Sequence, residues 1–475
     1  MIGIVSAGAY IPYYRLSRSE IARAWGGSSE DGEKAVAGHD EDTLTMAVDA
    51  AVDCLGDIDR NKIDALYFAS TSAPYAEKQS AALIACALDM RRYALTIDFT
   101  NSLRSGTLAL TMALDTVSAG SAKNILVIVS DCRVGIPFSA LEVITGDGAA
   151  AFLIGSEDVA VEIQEHYHVN DEFTGLWRKA NDSFVRSWED RFVISKGYEP
   201  VLKEAISGLL DKHNLTAKEF AITAFNAPTG RAHSAMVKSL KLDPKTQVQE
   251  SLFTTVGNTG TAMAPMILIQ ALEEASPGDR ILLANYSDGA DALILQATDR
   301  IEKLKGKRAI KGHLKSKMLL PSYEKYLAFR EIIPMEPPAR PPNQSSATLM
   351  SRPSERDRIL RFMGAKCRHC GTIIYPPSPV CLHCGTKDEF DYIRLSDKKG
   401  RIFSFSADLL AGVLDPPMVL TTIDFDVGGR AELLLTDRDP AAVKIGMPVE
   451  LTFRKFHDAA GFYNYYWKAR PPRTS

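Results

Sequence analysis

The sequence has little of what marks a membrane-embedded or nucleic-acid-binding protein. Lys and Arg number 55 against 59 Asp and Glu, so no basic excess favours nucleic acid as the main partner. No apolar run reaches the roughly 18–20 residues that a helix needs to span a bilayer. The apolar start at residues 1–15 lacks the basic segment of a signal peptide and predicts a first strand. These absences predict a cytoplasmic protein that binds neither nucleic acid nor membrane.

Cysteine is scarce outside one short segment. Among the 7 cysteines, Cys54, Cys86 and Cys132 stand singly in apolar surroundings that are typical of small buried thiols. Nothing in their placement requires disulfide bonds, which are rare in reducing compartments. The placement of the thiols therefore agrees with a cytoplasmic location.

The other four cysteines form the sharpest chemical signal. Cys367 and Cys370 make one Cys-x-x-Cys pair, and Cys381 and Cys384 make a second pair after ten intervening residues. Four thiolates at ~2.3 Å suit tetrahedral zinc, so the spacing predicts a structural Zn²⁺ site, with unligated or redox-active thiols as the alternative. A closed four-thiolate site leaves no open coordination position, which assigns the ion to stability and not to catalysis.

The first ~300 residues alternate strand-like and helix-like segments, which predicts α/β layers. Residues 65–70 and 125–130 are short and β-rich, whereas residues 42–55 and 106–119 carry apolar residues at helical spacing. A second series follows, with helices at 200–213 and 262–275 and strands at 220–225, 281–286 and 292–297. We expect two α/β halves, over residues 1–165 and 166–332.

The remaining third has a different composition. Residues 333–353 are rich in proline and serine, which predicts a semi-rigid tether. A capped helix is expected at Ser354–Met363, and helix and zinc ribbon together form a unit at residues 354–388. Residues 389–475 hold five short β-rich segments separated by glycine and aspartate turns, which predicts a small β-barrel of the OB-fold type.

Five segments in the first two domains carry a family resemblance. They are EKAVAGHDEDTLTMAVDAA (33–51), TGDGAAAFLIG (145–155), GNTGTAMAPMIL (257–268), YSDGADALIL (286–295) and SYEKYLAFR (322–330). In this order they resemble the hydroxymethylglutaryl-CoA synthases of the thiolase superfamily, especially the shorter archaeal type. The resemblance implies a duplicated, five-layered αβαβα fold, coenzyme A as part of the substrate, and a homodimer.

The same resemblance places three family catalytic positions on unexpected residues. The family's nucleophilic cysteine corresponds to Leu103, and a leucine cannot be acylated. Ser102 and Ser105 lie beside it, but a serine hydroxyl without an adjacent base is a poor nucleophile. The family histidine that holds the thioester carbonyl corresponds to Asn226, and the family's general acid/base glutamate corresponds to Thr71. An ordinary synthase reaction is therefore not expected.

The residues that remain favour chemistry through an enolate. Asn226 and Asn258 could donate hydrogen bonds to a thioester enolate, where one such donor contributes roughly 3–4 kcal/mol. This suits aldol or retro-aldol cleavage of a β-hydroxyacyl-CoA, which needs a base but no acyl-enzyme. Tyr286 and Asp288 in the closing glycine loop are the first candidates for the base, followed by Asp291, and turn building or core packing is the alternative role for each.

Other polar residues are expected around the substrate. Leu103, Ser102 and Thr71 would line the acyl-CoA site, and Arg104 would meet a substrate carboxylate or a CoA phosphate, unless it is solvated or paired with an acid. His233 is predicted to lie on a helix surface, and His369 and His383 inside the cysteine pairs are predicted to be exposed.

The C-terminal third resembles the zinc-ribbon and OB-fold proteins of the DUF35 type that accompany thiolases. Its aromatic residues could stack bases, but the charge balance favours CoA guidance or subunit docking. The fusion resembles the steroid side-chain aldolases, in which thiolase-like subunits without the cysteine pair with such a protein. We therefore expect an aldolase-like lyase. The alternatives are a hydroxymethylglutaryl-CoA synthase-like acyltransferase or condensing enzyme, and a non-catalytic acyl-CoA-binding scaffold that organises enzymes of its pathway.

Overall fold

The computed structural model describes residues 1–28, 31–336, 353–459 and 461–473. Most of the predicted proline-rich tether, and the side chain of Ser354 as a helix cap, lie outside the described residues. Within the described ranges, no helix is both long and apolar enough to cross a membrane.

The strands are β1 Gly3–Tyr10, β2 Tyr14–Ser17, β3 Glu33–Val36, β4 Ala65–Ala69, β5 Leu95–Phe99, β6 Asn124–Asp131, β7 Gly148–Gly155, β8 Val161–Asn170, β9 Leu176–Trp177, β10 Arg186–Ser187, β11 Ile222–Phe225, β12 Arg280–Ser287, β13 Gly289–Ala297, β14 Met318–Leu319, β15 Met363–Cys367, β16 Ile373–Ile374, β17 Phe390–Arg394, β18 Gly400–Asp408, β19 Met418–Phe425, β20 Arg430–Leu434, β21 Pro448–Ala459 and β22 Phe462–Arg470.

The α-helices are α1 Arg18–Trp25, α2 Thr43–Leu55, α3 Ser80–Ala87, α4 Ser105–Ser118, α5 Ala140–Ile144, α6 Asp190–Phe192, α7 Glu199–Lys212, α8 Gly230–Ser239, α9 Met263–Glu274, α10 Ala309–Lys315, α11 Tyr323–Phe329 and α12 Pro353–Ile359. A π-helical segment, Val193–Tyr198, joins α6 to α7, and short 3-10 turns lie at Arg60–Lys62, Ala217–Glu219, Gly260–Ala262, Ile301–Leu304 and Pro440–Ala442.

Nine strands form one mixed sheet in the order β11-β12-β13-β8-β1-β7-β6-β4-β5. Its two sections meet where β1 and β8 pair, with Gly3 opposite Glu162 and Ile4 opposite Val161. Helix α9 contacts β7 and β1 of one section and β11 and β12 of the other, while α2 and α7 cover the outer faces of the two sections. This succession of helix and strand layers is the predicted α/β fold.

Helix α2 shows how local sequence sets an element of this fold. Asp42 caps the helix by accepting hydrogen bonds from the backbone N–H groups of Leu44 and Thr45, and the Thr45 side chain accepts one from the Asp42 N–H. The apolar residues of α2 pack on β1, β7 and β6. The predicted helix at residues 42–55 is confirmed.

The C-terminal third forms two small sheets. Strands β16-β15-β17 build the ribbon, and β20-β19-β18-β21-β22 build the OB-fold. The prediction of a barrel is wrong in one respect, because the five-stranded sheet is not closed. Strand β20 ends at Leu434, and the next residue, Leu435, makes a single bridge to Ala469 of β22. Strand β20 is thus too short to form a ladder with β22.

The helix before the ribbon ends earlier than predicted. Helix α12 ends at Ile359, and Met363 already begins β15. Phe362 has a φ of 55°, a left-handed conformation that cannot continue a right-handed helix, and its ring stacks on Tyr375 with 4.2 Å between centroids. Phe362 therefore lies in the turn between α12 and β15 and cannot belong to the predicted helix.

The OB-fold docks on α2 through buried ion pairs. Arg454 is fully buried and contacts Glu41, and its Nη2 lies 2.6 Å from Asp437 Oδ2 and 3.0 Å from the Tyr10 hydroxyl. Lys468 Nζ lies 2.8 Å from Asp40 Oδ2. Burial opposes ionisation of Asp40, but Lys468 and Arg454 outweigh this effect and hold the pKa of Asp40 well below its usual range. The acidic segment before α2 is thus a docking site for the OB-fold.

Candidate active site and zinc site

A narrow cavity lies where the start of α4, the end of β12 and the loop before α9 meet. Its cavity volume is about 60 Å³, which is enough to hold water. Its lining residues are Leu103, Arg133, Leu141, Ile144, Thr145, Phe173, Gly175, Leu176, Val185, Ser187, Asp190, Val193, Ile194, Asn226, Ala227, Pro228, Thr229, Asn258, Tyr286, Ser287 and Asp288. Five of the predicted site residues, Leu103, Asn226, Asn258, Tyr286 and Asp288, therefore meet in one place.

Leu103 forms the wall at the start of α4. The helix begins at Ser105, so its N-terminus, where dipole and free N–H groups would favour a thiolate, lies beside a leucine side chain. Asn285 Nδ2 donates to the Leu103 carbonyl at 3.2 Å and holds this turn against β12. No cysteine is among the described residues that line the cavity.

Asn258 has a side-chain amide in a defined orientation. Its Oδ1 accepts hydrogen bonds from the Gly260 N–H at 2.9 Å and from Arg133 Nη2 at 3.4 Å. Its backbone N–H donates to the Ile144 carbonyl at 2.6 Å. Because Oδ1 faces these donors, Nδ2 points away from them, and within the described residues it makes no hydrogen bond. Asn258 can therefore donate to a ligand.

Gly260 makes this arrangement possible. Its φ is +61°, and a Cβ there would lie 2.5 Å from Arg133 Nε and 2.5 Å from Asp131 Oδ2. Only a residue without a side chain allows the loop to approach these two charged groups so closely.

Asn226 is tied to β12. Its Oδ1 accepts from the Tyr286 backbone N–H at 2.8 Å, and its Nδ2 donates to the Tyr286 carbonyl at 3.0 Å. One N–H of Nδ2 is left for a ligand, since the amide nitrogen carries two hydrogens. Asn226 is thus a structural link that can also contribute one donor.

The two candidate bases have different environments. The Tyr286 hydroxyl is buried without a hydrogen-bond partner among the described residues. Burial, with smaller contributions from Asp171 and Asp288, raises the pKa of Tyr286 well above its usual value, so the phenol stays protonated at neutral pH. Asp288 is exposed at the cavity, and its Oδ2 accepts from Ser287 Oγ at 3.3 Å. A carboxylate in this position can accept a proton.

Arg104 and Asp291 are found in a buried ion pair outside the cavity. Arg104 Nη2 lies 2.5 Å from Asp291 Oδ1, and Nη1 donates to the Asp288 carbonyl at 2.7 Å. Burial opposes ionisation of Asp291, but hydrogen bonds from His168, Arg104 and Thr107 outweigh it and lower the pKa of Asp291. Of the roles expected for Arg104, the structure shows the pairing with an acid and no position in the cavity wall.

Ser102 and Thr71 also lie outside the cavity wall. Ser102 Oγ accepts from the Arg104 backbone N–H at 3.2 Å. Thr71 Oγ1 donates to Asp131 Oδ2 at 2.8 Å, next to Arg133. Both residues therefore hold the backbone and Asp131 near the cavity and do not line the cavity themselves.

Two residues were placed wrongly or missed by reasoning from the sequence. His233 is buried and not on the surface, because its ring stacks on Phe225 at 4.4 Å, and burial lowers its pKa to about 4. Arg133 was missed, although it lines the cavity beside Asn258. Its position just after β6 was the available signal, because polar residues at strand ends often build sites in α/β folds.

The four ribbon cysteines fit a zinc ion. Their Sγ atoms all lie within 4.8 Å of one another, with 3.7 Å between Cys367 and Cys384 and 3.5 Å between Cys370 and Cys381. Four ligands at ~2.3 Å around a tetrahedral ion require about this separation. Among the described residues, no further His, Cys, Asp or Glu belongs to this group of four, and four cysteines suit a closed structural site.

Solved structures identify the class of fold. A crystal structure of HMG-CoA synthase complexed with CoA aligns with a TM-score of 0.62 at 20% identity and covers 68% of this chain and 89% of its own. The 3-oxoacyl-[acyl-carrier-protein] synthase III from Aquifex aeolicus VF5 aligns with a TM-score of 0.56 at 20% identity and covers 62% and 100%. The first part of the chain therefore has the thiolase-like fold that was predicted.

Curated relatives and family models narrow the class. Hydroxymethylglutaryl-CoA synthase of Methanocaldococcus jannaschii is 33% identical over 346 residues, which cover 70% of this chain and 100% of the relative. The same enzyme of Methanothermobacter thermautotrophicus is 33% identical over 315 residues, covering 64% and 90%. The chain belongs to the hydroxymethylglutaryl-CoA synthase family.

Three family models locate the parts of the fusion. The model "3-Oxoacyl-[acyl-carrier-protein (ACP)] synthase III C terminal" matches residues 210–296. The "ChsH2, rubredoxin-like zinc ribbon domain" matches residues 355–389, and the "ChsH2, C-terminal OB-fold domain" matches residues 392–454. The predicted fusion of a thiolase-like part with a zinc ribbon and an OB-fold is confirmed.

Proposed function

We propose that this chain is a condensing enzyme for acyl-CoA thioesters that works through a thioester enolate and forms no acyl-enzyme. The observation that carries the proposal is the Asn258 amide, whose oxygen is engaged and whose Nδ2 is available on the cavity wall. Leu103 lines the same cavity at the start of α4, where the resemblance places the family's cysteine. An oxyanion donor is thus retained where a nucleophile is not.

The direction of the reaction is argued from the relatives. The similar curated proteins are named hydroxymethylglutaryl-CoA synthase, which supports carbon–carbon bond formation over the cleavage expected from the sequence. The same enolate site would also catalyse the reverse reaction, since both directions pass through one transition state. Addition is therefore the proposed direction, and retro-aldol cleavage of a β-hydroxyacyl-CoA is its reverse.

The proposed step moves two protons and forms one bond. A base removes a proton from the carbon next to the thioester carbonyl. The oxygen of the resulting enolate accepts hydrogen bonds from the side-chain N–H groups of Asn258 and Asn226. The enolate carbon attacks the carbonyl carbon of a second substrate, and the alkoxide that forms takes up a proton. Asp288 suits the role of base better than Tyr286, whose phenol stays protonated and can supply a proton or hydrogen bond.

The other groups in this proposal have supporting roles. Zn²⁺ held by Cys367, Cys370, Cys381 and Cys384 stabilises the ribbon, and coenzyme A enters as part of the substrate. The domain boundaries at 165, 332, 353 and 388, the cytoplasmic location and the partner enzymes stay predictions.

Exchange of the acetyl-CoA α-protons in heavy water tests the proposal. The wild-type protein should exchange them, and Asn258→Ala should slow the exchange about 100- to 1000-fold, as expected for loss of one oxyanion donor. Mass spectrometry of the recovered acetyl-CoA measures the rate, and intact mass of the protein should show no acetyl adduct.

The matched control is Asn124→Ala at the opposite end of β6. The Asn124 side chain donates a hydrogen bond to the Lys62 carbonyl at 3.1 Å, so the variant also loses an amide hydrogen bond. Asn124 begins β6, whereas Asp131, which lies near the cavity, ends it. The exchange rate of this variant should equal that of the wild type. A stable acetyl adduct, or equal exchange by Asn258→Ala and the wild type, would refute the proposed mechanism. A lack of exchange in the wild type would favour the non-catalytic scaffold.

The expected homodimer has a suitable surface at the outer edge of β5. This strand pairs with β4 on one side and is the last strand of the sheet. Tyr93, Leu95 and Met112 near this edge are 80%, 53% and 44% exposed, and an exposed apolar strand edge favours pairing with another strand. We propose that two copies meet here.

Leu95→Lys should weaken the dimer at least about tenfold, because it places a charge on the exposed apolar part of this edge. Light scattering after size-exclusion chromatography measures the mass as a function of concentration. Leu409→Lys, at a residue that is 76% exposed on the OB-fold, is the control and should leave the mass unchanged. A monomeric wild-type protein at all concentrations would contradict the assignment.

A further inference from the structure

A buried cation on the cavity wall has little to bind within the protein. The Arg133 side chain is 6% exposed. Within the described residues its one hydrogen bond joins Nη2 to Asn258 Oδ1 at 3.4 Å, and Nε is buried without a partner. A guanidinium group carries five N–H donors, so most of those of Arg133 are unused.

The nearest carboxylate does not satisfy Arg133. Asp131 Oδ2 lies 3.9 Å from Arg133 Nε, which is beyond hydrogen-bond distance. Asp131 instead accepts five hydrogen bonds, from Ser70 Oγ, Thr71 N, Thr71 Oγ1, Ser72 Oγ and Thr261 N. These bonds hold the loops after β4 and before α9 together. Asp131 is therefore stabilised by donors other than Arg133, and the unused N–H groups of Arg133 remain available to a ligand.

A ligand anion is the natural partner for such a group. A buried charge without a full set of hydrogen bonds is costly, and a carboxylate that enters the site would gain charge-assisted bonds in the planar geometry that guanidinium prefers. The other charged residues of the cavity wall, Asp190 and Asp288, are exposed acids that would not bind an anion. Arg133 is therefore the position at which this cavity selects a negative charge.

We infer that Arg133 binds the carboxylate of the second substrate, which is a small 2-oxo acid. Arg133 lies directly beside Asn258, and a 2-oxo acid carries its carboxylate on the carbon next to the ketone. A carboxylate on Arg133 thus places the ketone carbon close to an enolate held by Asn258. This inference rests on the proposed function and names its substrate class.

The resulting reaction is balanced without a redox partner. The acetyl-CoA α-carbon loses a proton to the base, and its electron pair forms a bond to the ketone carbon of the 2-oxo acid. The ketone π-electrons move to the oxygen, which takes up a proton. The product is a 3-hydroxyacyl-CoA with a carboxylate on its hydroxyl-bearing carbon, and nothing is oxidised or reduced.

Two carbonyl compounds of similar size test the inference. Pyruvate carries the carboxylate, and 3-methyl-2-butanone replaces the carboxylate with an uncharged isopropyl group. With acetyl-CoA and the full-length protein, the kcat/KM for pyruvate should exceed that for the neutral ketone about 10- to 100-fold, as expected for a charge-assisted interaction. Mass spectrometry of the acyl-CoA products measures both reactions.

The ratio of the two kcat/KM values is the quantity to compare among variants. Arg133→Met should lower this ratio about 10- to 100-fold relative to the wild type, and Arg133→Lys should keep part of it, because lysine retains the charge but not the planar fork. A general loss of activity would affect both substrates and cancel in the ratio. Arg430→Met, at a surface arginine of the OB-fold, should keep the wild-type ratio. An equal preference in the wild type, or an unchanged ratio in Arg133→Met, would overturn the inference.

A separate binding measurement distinguishes this inference from the proposed function. Absence of acetyl-CoA exchange in the wild type would reject the enolate mechanism alone. Saturation-transfer NMR with pyruvate as the probe should still show binding to the wild type and its loss in Arg133→Met. If pyruvate does not bind the wild type, or binds both proteins equally, the assignment of Arg133 is wrong whatever the result of the exchange assay.

Discussion

Replacement of Cys381 by serine should release zinc and unfold the ribbon. Cys381 is buried, and its Sγ lies 3.5 Å from that of Cys370. The variant therefore removes one of the four thiolate ligands expected for the ion. Structural zinc contributes about 10–16 kcal/mol of apparent binding free energy in zinc-finger peptides at pH 7. Loss of one of four ligands should therefore cost on the order of 5 kcal/mol, which is a large share of the stability of a typical domain.

Metal analysis and thermal unfolding measure this result together. The wild type should contain one zinc ion per chain, and Cys381→Ser should contain a small fraction of that and unfold at a lower temperature. Cys86→Ser is the control, since Cys86 is a half-buried thiol outside the cluster. A strong chelator should reproduce the effect of Cys381→Ser in the wild type. A fully stable wild-type protein without zinc would contradict the structural role of the site.

Arg454→Met should destabilise the contact between the OB-fold and the thiolase-like part by about 3–5 kcal/mol. The side chain is fully buried and contacts Glu41 and Asp437. Its removal leaves Glu41 without this cation and leaves Asp437 with the more distant Arg470, whose Nη1 lies 3.8 Å from Asp437 Oδ2. Burial opposes the charge of Arg454, but Asp437 and Glu41 outweigh it and hold its pKa well above the usual value. The ionised state of these buried side chains therefore depends on Arg454 and its two carboxylates being present together.

Urea unfolding, followed by fluorescence and by limited proteolysis, measures the loss. The same substitution at Arg430 is the control, because its pair with Asp424 has side chains that are 50% and 46% exposed. Exposed pairs of this kind contribute about 0–1 kcal/mol. If Arg454→Met and Arg430→Met have equal effects, the buried network does not hold the two parts together.

The features that were predictable from sequence are those encoded locally. Helix α2 was predicted from apolar residues at helical spacing, and the four-cysteine cluster was predicted from two Cys-x-x-Cys pairs. The candidate site was partly predictable, because the family resemblance placed Leu103, Asn226 and Asn258 at catalytic positions, and these residues line one cavity. In each case neighbours in sequence, or a family pattern, carry the information.

The features that were not predictable depend on pairs of residues far apart in the chain. Arg104 seemed able to meet a substrate, but Asp291 from β13 binds it, 187 residues further on. The position of Arg133 just after β6 did not indicate its partner, and it is the loop at Gly260 that brings it against Asn258. No periodicity or spacing records such contacts, because they arise when separate layers pack together.

The acidic segment before α2 shows both a feature set by local sequence and a feature set by tertiary packing. The sequence by itself determined that Asp42 caps a helix, since the hydrogen bonds of a cap join residues within one turn. It also determined the family, the fused domains and the four cysteines of the candidate zinc site. Only the tertiary structure decided that Asp40 and Glu41 bind Lys468 and Arg454 of the OB-fold. The same holds for which donors in the cavity stay free, because the partners of a buried charge are chosen by packing across the whole chain.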